Sequence, residues 1–407
     1  MKHVVFVAPF FGSTMMKCLL ALTELEDVKV GVITHEPEEH VPPALRRALA
    51  GHFRVKDALD ADQLALATHA FQREWGRVDR LLGYLEQLQL PLAQARDAVG
   101  VEGMDTATAR RFRDKNVMKQ AMAEAGLPVA RQALIHGAED ARRFVAAVGY
   151  PIVLKPTDGL GTKDTLRAGD EGELYKALNR LMPSPKRPVQ AEQFVTGAEH
   201  TFESVSIDGE VVWSSSTYYL PGPLQVLENP WMQYCVLLPR EEDPPHVEAF
   251  RPLNHAALRS LGMRTGMSHM EWFLPKGGSP VISEVAARPP GVNIMAMNGL
   301  AAEVDFWAKW ARLMVHKEWE MPARRWACGC AFLRGQGRGR AVVAIEGLEE
   351  TLSQLGGLVA SASLPKVGQP RSSHYEGEGW VLVRDETTQG VVEALRKVIT
   401  QVKLHYR

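Results

Sequence analysis

The sequence predicts a multidomain chain that joins an α/β unit to α+β units, and three observations carry that prediction. The first stretch alternates apolar strand and helical spacing, which implies a parallel sheet. Farther on, Lys155 ends an apolar run and opens a glycine-rich loop. Later still, two alternating apolar runs, 268–274 and 281–288, flank Gly277-Gly278 as a β-hairpin. With 407 residues, the chain has room for roughly two to four domains.

Taken in order, residues 4–8 form an apolar strand, 15–25 have helical spacing and 28–33 form a second strand. The loop Pro9-Phe10-Phe11-Gly12 lacks the full glycine fingerprint of a dinucleotide site. Residues 73–90, which include Glu86, have the spacing of an amphipathic helix. Asp114 caps a helix whose expected apolar face is Val117, Met118, Ala121, Met122 and Ala125, stopped by Gly126 and Pro128. From Gly149 the pattern is strand, glycine loop, strand and a helix over 171–181. Residues 189–195 are the next strand, and 200–207 pairs with 210–215 through Asp208-Gly209. Residues 218–238, rich in aromatics and prolines, predict a long surface excursion and a candidate substrate loop with Tyr218, Tyr219, Trp231 and Tyr234. Helices follow at 254–261 and 301–315, then strands at 328–333, 341–346 and 379–384 and a last helix over 391–402. The expected units are 1–112, 113–195, 196–322 and 323–407.

Composition narrows the partners. Hydrophobic residues make up 45% and charged residues 23%, as in an ordinary globular protein, and the net charge is −1. No Lys/Arg block suggests nucleic acid, and no apolar run approaches a membrane span. Four scattered cysteines suit small buried thiols in a cytoplasmic protein better than a disulfide framework.

The hairpin carries the strongest chemistry. A turn centred on Gly277-Gly278 sets Glu271 directly across from Glu284, on a face with His269, Phe273, Ile282, Ala286 and Arg288. Met270, Trp272, Leu274, Val281 and Val285 then face the core. Two carboxylates about 4 Å apart repel by roughly 4 kcal/mol at an effective dielectric near 20, and like charges facing one another weaken a sheet. A cation between them relieves this, and acidic oxygens beside an arginine suit Mg²⁺ carrying a phosphate. A solvated sheet edge is the alternative reading of the same residues.

Lys155 and the loop glycines Gly159 and Gly161 with Thr162 can cradle phosphate through backbone N–H groups and a point charge, although a plain turn has the same composition. The strand exit Glu192-Gln193-Phe194-Val195 offers backbone groups and apolar faces to an adenine, and Glu199 a ribose acceptor.

Lys115 at a helix start, Lys155 before the glycine loop, Glu192 and Glu199, Glu271, and Glu284 with Arg288 resemble, in this order, the ATP-grasp superfamily. The segment from Glu284 to Gly291 looks like its amino-acid and dipeptide ligase branch. The resemblance implies an ATP-grasp fold with an N-terminal Rossmann-like parallel-sheet domain and a small C-terminal α+β domain. It implies that Lys115 and Lys155 contact ATP phosphates, that Glu192, Phe194 and Val195 hold adenine and Glu199 ribose. Glu271 and Glu284 would hold Mg²⁺, with Mn²⁺ as a substitute, and Arg288 would neutralise the transferred phosphoryl group. Ala286 stands where many members have a metal-binding Asn, which leaves water or Asn293 for that position.

The implied activity is an ADP-forming carboxylate–amine ligation through an acyl-phosphate, with small carboxylate and amine substrates, amino acids foremost, in a homodimer. Carboxylation through carboxyphosphate and a catalytically silent ATP-binding module are the alternatives. The Gln-Val-Glu-His run of biotin-carboxylase-type enzymes after the arginine is replaced here by Pro289-Pro290-Gly291-Val292-Asn293.

Overall fold

The strands Gly51–Arg54, Val28–Thr34, Lys2–Val7 and Arg80–Gly83 lie side by side in that order, all parallel, in a computed structural model that describes residues 1–157, 164–229, 232–241 and 244–407. Val4, Val5, Phe6 and Val7 are all buried, as a sheet covered on both faces requires. One face packs on Leu19, Leu22 and Trp310, the other on Leu64, Phe71 and Leu92. The helix expected over 73–90 does not form. Helix Ala61–Trp75 ends where Gly76 takes φ +80°, and Arg80–Gly83 becomes the fourth strand beside Lys2–Val7. Val78, Leu81 and Leu82 fall at helical spacing, but the edge beside Lys2–Val7 takes the segment as a strand.

The second unit is an antiparallel sheet in the order Gln132–Ile135, Val189–Gln193, Ile152–Pro156, Leu166–Ala168, backed by helices Ala138–Val148 and Glu171–Leu181.

The third and largest sheet runs Val281–Ala286, Gly266–Leu274, Ala198–Ile207, Tyr218–Leu220, Tyr234–Leu238, Ala327–Leu333, Gly379–Asp385, Val359–Ser363, with Glu210–Ser215 also paired to Ala198–Ile207. The C-terminal strands therefore extend the sheet that holds the acidic hairpin. The surface excursion expected over 218–238 is instead two strands in the middle of this sheet, and Tyr234, Val236 and Leu238 are fully buried. Strands covered on both faces do not alternate, which is why the periodicity looked weak. Residues 301–315 divide into helices Ile294–Ala302 and Phe306–His316, because Glu303 takes φ +54° and Asp305 caps the second helix by accepting from the Trp307 and Ala308 N–H groups.

The core of the large sheet contains an imidazole with no polar partner. His200 stacks on Trp272 with ring centroids 4.5 Å apart, edge-on to Tyr218, and 5.2 Å from His246. Neither ring nitrogen has a hydrogen-bond partner among the described residues. Burial, with His246 second, pushes its pKa down to about 4. The unfolded chain takes up this proton near pH 6.5 and the folded chain only near pH 4, so the stabilisation is complete above about 6.5 and is lost as pH falls toward 4. The expected loss reaches about 3 kcal/mol. Urea unfolding at pH 7 and 4.5 should show a drop in stability that is smaller by about that amount in His200→Phe; equal drops in both proteins would contradict the account.

Candidate functional site

Glu271 pairs with Glu284, His269 with Ala286 and Met270 with Val285, the register expected from the sequence. Past that rung a bulge shifts the pairing, so Trp272 meets Ile282 and Phe273 meets Val281. The bulge at Ser283 exchanges the faces of two residues placed the other way by simple alternation. Ile282 is fully buried with Trp272 in the core, whereas Val281 stands beside Phe273 on the cleft side. Each glutamate keeps about 30% of its side chain exposed, on the face that lines a deep cleft. Their oxygens have the hard-donor chemistry that Mg²⁺ takes. Among the described residues no third His, Cys, Asp or Glu completes a ligand cluster. Mg²⁺ is commonly held by one or two carboxylates plus water and substrate phosphates, so the pair fits that ion.

Lysines converge on this face from the second unit. Lys115 opens the helix Lys115–Glu124, capped by Asp114, and its ammonium lies 2.8 Å from Glu284 Oε1. Lys155, on strand Ile152–Pro156, lies 2.9 Å from Glu192 Oε1, and Lys119 lies 3.1 Å from Glu192 Oε2. Lys119 is the group that sequence reasoning missed. The buried helix face is Lys115, Met118, Lys119 and Met122, not the expected face that also included Val117, Ala121 and Ala125. The spacing of Lys115 and Lys119, four residues apart with Met118 and Met122 at helical intervals, was the available signal. Burial opposes ionisation of Glu192, but Lys119 and Lys155 outweigh it and hold its pKa at about 2. Burial likewise opposes the charge on Lys155, yet Glu192 and Glu284 raise its pKa, whereas for Lys119 burial wins over Glu192 and the pKa falls. Glu284 is pushed up by burial and, more strongly, down by Lys115 and Lys155.

Phe194, Val195 and Glu199 line the same cleft, with Leu224 and Ala130. The Phe194 N–H donates to Pro151 O at 3.2 Å, and Arg167 stacks over its ring. Glu192 meets the cleft as an ion-paired carboxylate. Glu199 lies against Gly222, where any side chain would collide with its carboxylate. Burial and then the charge of Glu271 raise its pKa well above the usual range. Gly159, Gly161 and Thr162, and Trp231 of the expected substrate loop, lie outside the described residues.

At the other end, Arg288 Nε lies 2.6 Å from Glu86 Oε2, and Glu86 Oε1 lies 2.8 Å from Arg113 Nη1. The N-terminal unit thus reaches the site through Glu86 and through Tyr84, whose hydroxyl donates to Pro290 O at 3.0 Å. Burial lowers and Glu86 more strongly raises the Arg288 pKa. His269 Nδ1 lies 2.9 Å from Glu203 Oε1, and its Nε2 lies 3.8 Å from Glu271 Oε1. Burial works against the imidazolium, but Glu203 and Glu271 bring its pKa to about 9. Tyr219 donates to Glu271 Oε1 at 3.4 Å, and Tyr375 reaches the cleft from the C-terminal segment. Asn293 turns elsewhere: its amide donates to Cys330 Sγ, and it does not line the cleft.

Three layers of this kind, with lysines and acidic residues converging between an antiparallel lid and a larger sheet, make up the ATP-grasp fold, and it is to proteins of that fold that the chain is similar. Residues 114–208 match the family described as carbamoyl-phosphate synthase L chain, ATP binding domain. The crystal structure of an L-amino acid ligase from Bacillus licheniformis superimposes with a TM-score of 0.77 at 20% identity, covering 100% of this chain and 99% of that one. An L-arginine-specific L-amino acid ligase of Bacillus subtilis is 24% identical over 256 residues, 60% of this chain and 59% of the relative. The carbamoyl phosphate synthase large chain of Kocuria rhizophila is 28% identical over 224 residues, 52% of this chain and 19% of the relative. The matched region thus spans less than two thirds of either curated relative. No helix among the described residues is long and apolar enough to cross a membrane.

The triad around Glu192 makes a stability prediction. Glu192→Leu would strand two buried ammonium groups and should cost about 3–5 kcal/mol in urea unfolding. Lys119→Met leaves Glu192 paired with Lys155 and should cost less. The reverse order would contradict the assignment of Glu192 as the shared anion.

Proposed function

We propose that the chain is an ADP-forming ATP-dependent carboxylate–amine ligase. The observation that carries this reading is the Glu271–Glu284 rung in one cleft with Lys155 and Arg288, Glu284 being ion-paired with Lys115 behind it. Phe194, Val195 and Leu224 give that cleft the apolar walls an adenine needs, and Glu199 is the ribose acceptor. Lys155 and Lys115 meet the phosphates with the loop that carries Gly159, Gly161 and Thr162. Glu271 and Glu284 are the residues that would hold Mg²⁺, which supplies positive charge at the phosphate oxygens when bound.

In the reaction, a carboxylate oxygen of the first substrate bonds to the γ-phosphorus as the bond to ADP breaks. The amine nitrogen of the second then bonds to the acyl carbon and phosphate leaves. The chain's part is positioning and charge compensation, which such transfers chiefly require. Arg288, aimed by Glu86, neutralises charge developing on the transferred group. Amino acids are the favoured substrates, because relatives named for amino-acid ligation are similar to the chain in sequence and in fold. Four free buried thiols suit a reducing, cytoplasmic compartment.

The match to the carbamoyl-phosphate synthase ATP-binding domain favours carboxyphosphate chemistry as a second reading. ADP release driven by bicarbonate with no amine present would select it, whereas release that requires amino-acid pairs selects ligation.

Two substitutions test the roles. Glu284→Ala should abolish Mg²⁺-dependent ADP release in protein that circular dichroism shows to be folded, with some loss of stability because Lys115 loses its ion pair; undiminished turnover would remove the metal assignment. Arg288→Ala should lower kcat by about 10²–10³ with a smaller change in KM for ATP. A loss confined to ATP affinity would contradict its role at the transferred group.

A further inference from the structure

A second cavity, of about 80 Å³, lies between the N-terminal parallel sheet and the large sheet. That is several times the roughly 10–15 Å³ one water requires. It shares Arg288 with the nucleotide cleft and is otherwise separate from it. Leu82, Met104, Met267 and Trp310 make most of its wall apolar. One cation in the wall has no counter-ion. Arg96 is only 7% exposed, and its Nε and Nη1 donate to the carbonyls of Leu81 at 2.9 Å and Met104 at 3.1 Å. Among the described residues no carboxylate lies within ion-pair distance of it, and its Nη2 has no hydrogen-bond partner. Arg80 beside it is different, with Glu102 at 2.7 Å.

A buried guanidinium left without an anion is costly, and burial drives the Arg96 pKa down to about 10. A carboxylate on the open Nη2 edge would supply the missing charge, since the planar fork matches carboxylate geometry. The surrounding hydrocarbon would stabilise an apolar tail and disfavour a heavily hydrated anion such as free phosphate.

We propose that this cavity binds a small carboxylate with a hydrocarbon tail, its anion on Arg96 and its tail against Leu82, Met267 and Trp310. The site goes beyond the ligase reading and does not require nucleotide. Because Ala287, Arg288 and Pro289 form part of its wall, an occupant borders the strand end that carries Arg288.

Calorimetric titration of the full chain without nucleotide tests this, with hexanoate, hexanol and acetate as probes. Hexanoate should bind at least about tenfold more tightly than either the alcohol or acetate. Arg96→Gln should weaken hexanoate at least about tenfold while leaving hexanol unchanged. Met314→Trp, which fills the cavity without touching the guanidinium or the nucleotide cleft, should abolish binding of both, and it carries the test if the Arg96 variant fails to fold. No hexanoate binding to the unsubstituted protein, or undiminished binding in Met314→Trp, would overturn the proposal.

Discussion

Glu271 and Glu284 occupy one rung of an antiparallel hairpin, with both side chains on the cleft face. Like charges facing one another on a rung weaken a sheet, and the bulge that follows keeps them there by returning Ile282 and Trp272 to the core. The remaining polar architecture answers this repulsion from three directions. Lys115 comes from the helix of the second unit, His269 from the same strand two residues away, and Arg288 from the end of the partner strand. The backbone supports the arrangement, since the Ile282 N–H donates to Pro128 O at 2.8 Å. The hairpin is thereby the joint where lid and large sheet meet.

A charge count explains why a cation belongs in the proposed reaction. Lys115, Lys119 and Lys155 are balanced by Glu192, Glu271 and Glu284, and Arg288 with Arg113 shares Glu86. A triphosphate entering such a nearly neutral site adds several negative charges that these residues cannot offset alone. A divalent ion between the two glutamates would supply what is lacking, and the two carboxylates are suited to hold it. Glu192 lines the cleft with both oxygens on lysines, and so holds Lys155 in place by a buried ion triad.

Much of this was legible before any coordinates. The Glu271–Glu284 pairing and the N-terminal parallel sheet were both expected from the sequence, but the pairs beside the Gly-Gly turn are offset by one residue and it is the bulge that brings Glu284 opposite Glu271. Simple alternation could not foresee the bulge, because Ser283 is equally at home in a regular strand. Lys119 escaped because a lysine on a helix is normally solvated; only its partner on a distant strand, Glu192, makes burial affordable. Glu86 was hidden for a similar reason, since its significance lies in a contact 202 residues away with Arg288. The stretch containing Tyr219 and Tyr234 looked like a loop because strands buried on both faces lose the polar alternation that identifies a strand.

The central claim is that the two facing glutamates grip a divalent ion together with the nucleotide. A crystal structure grown with ADP and Mn²⁺, read by its anomalous signal, tests it most directly. The account predicts a manganese peak at ligand distance from a carboxylate oxygen of both Glu271 and Glu284, beside the bound nucleotide. Nucleotide bound in the cleft with the manganese peak away from both glutamates would contradict it.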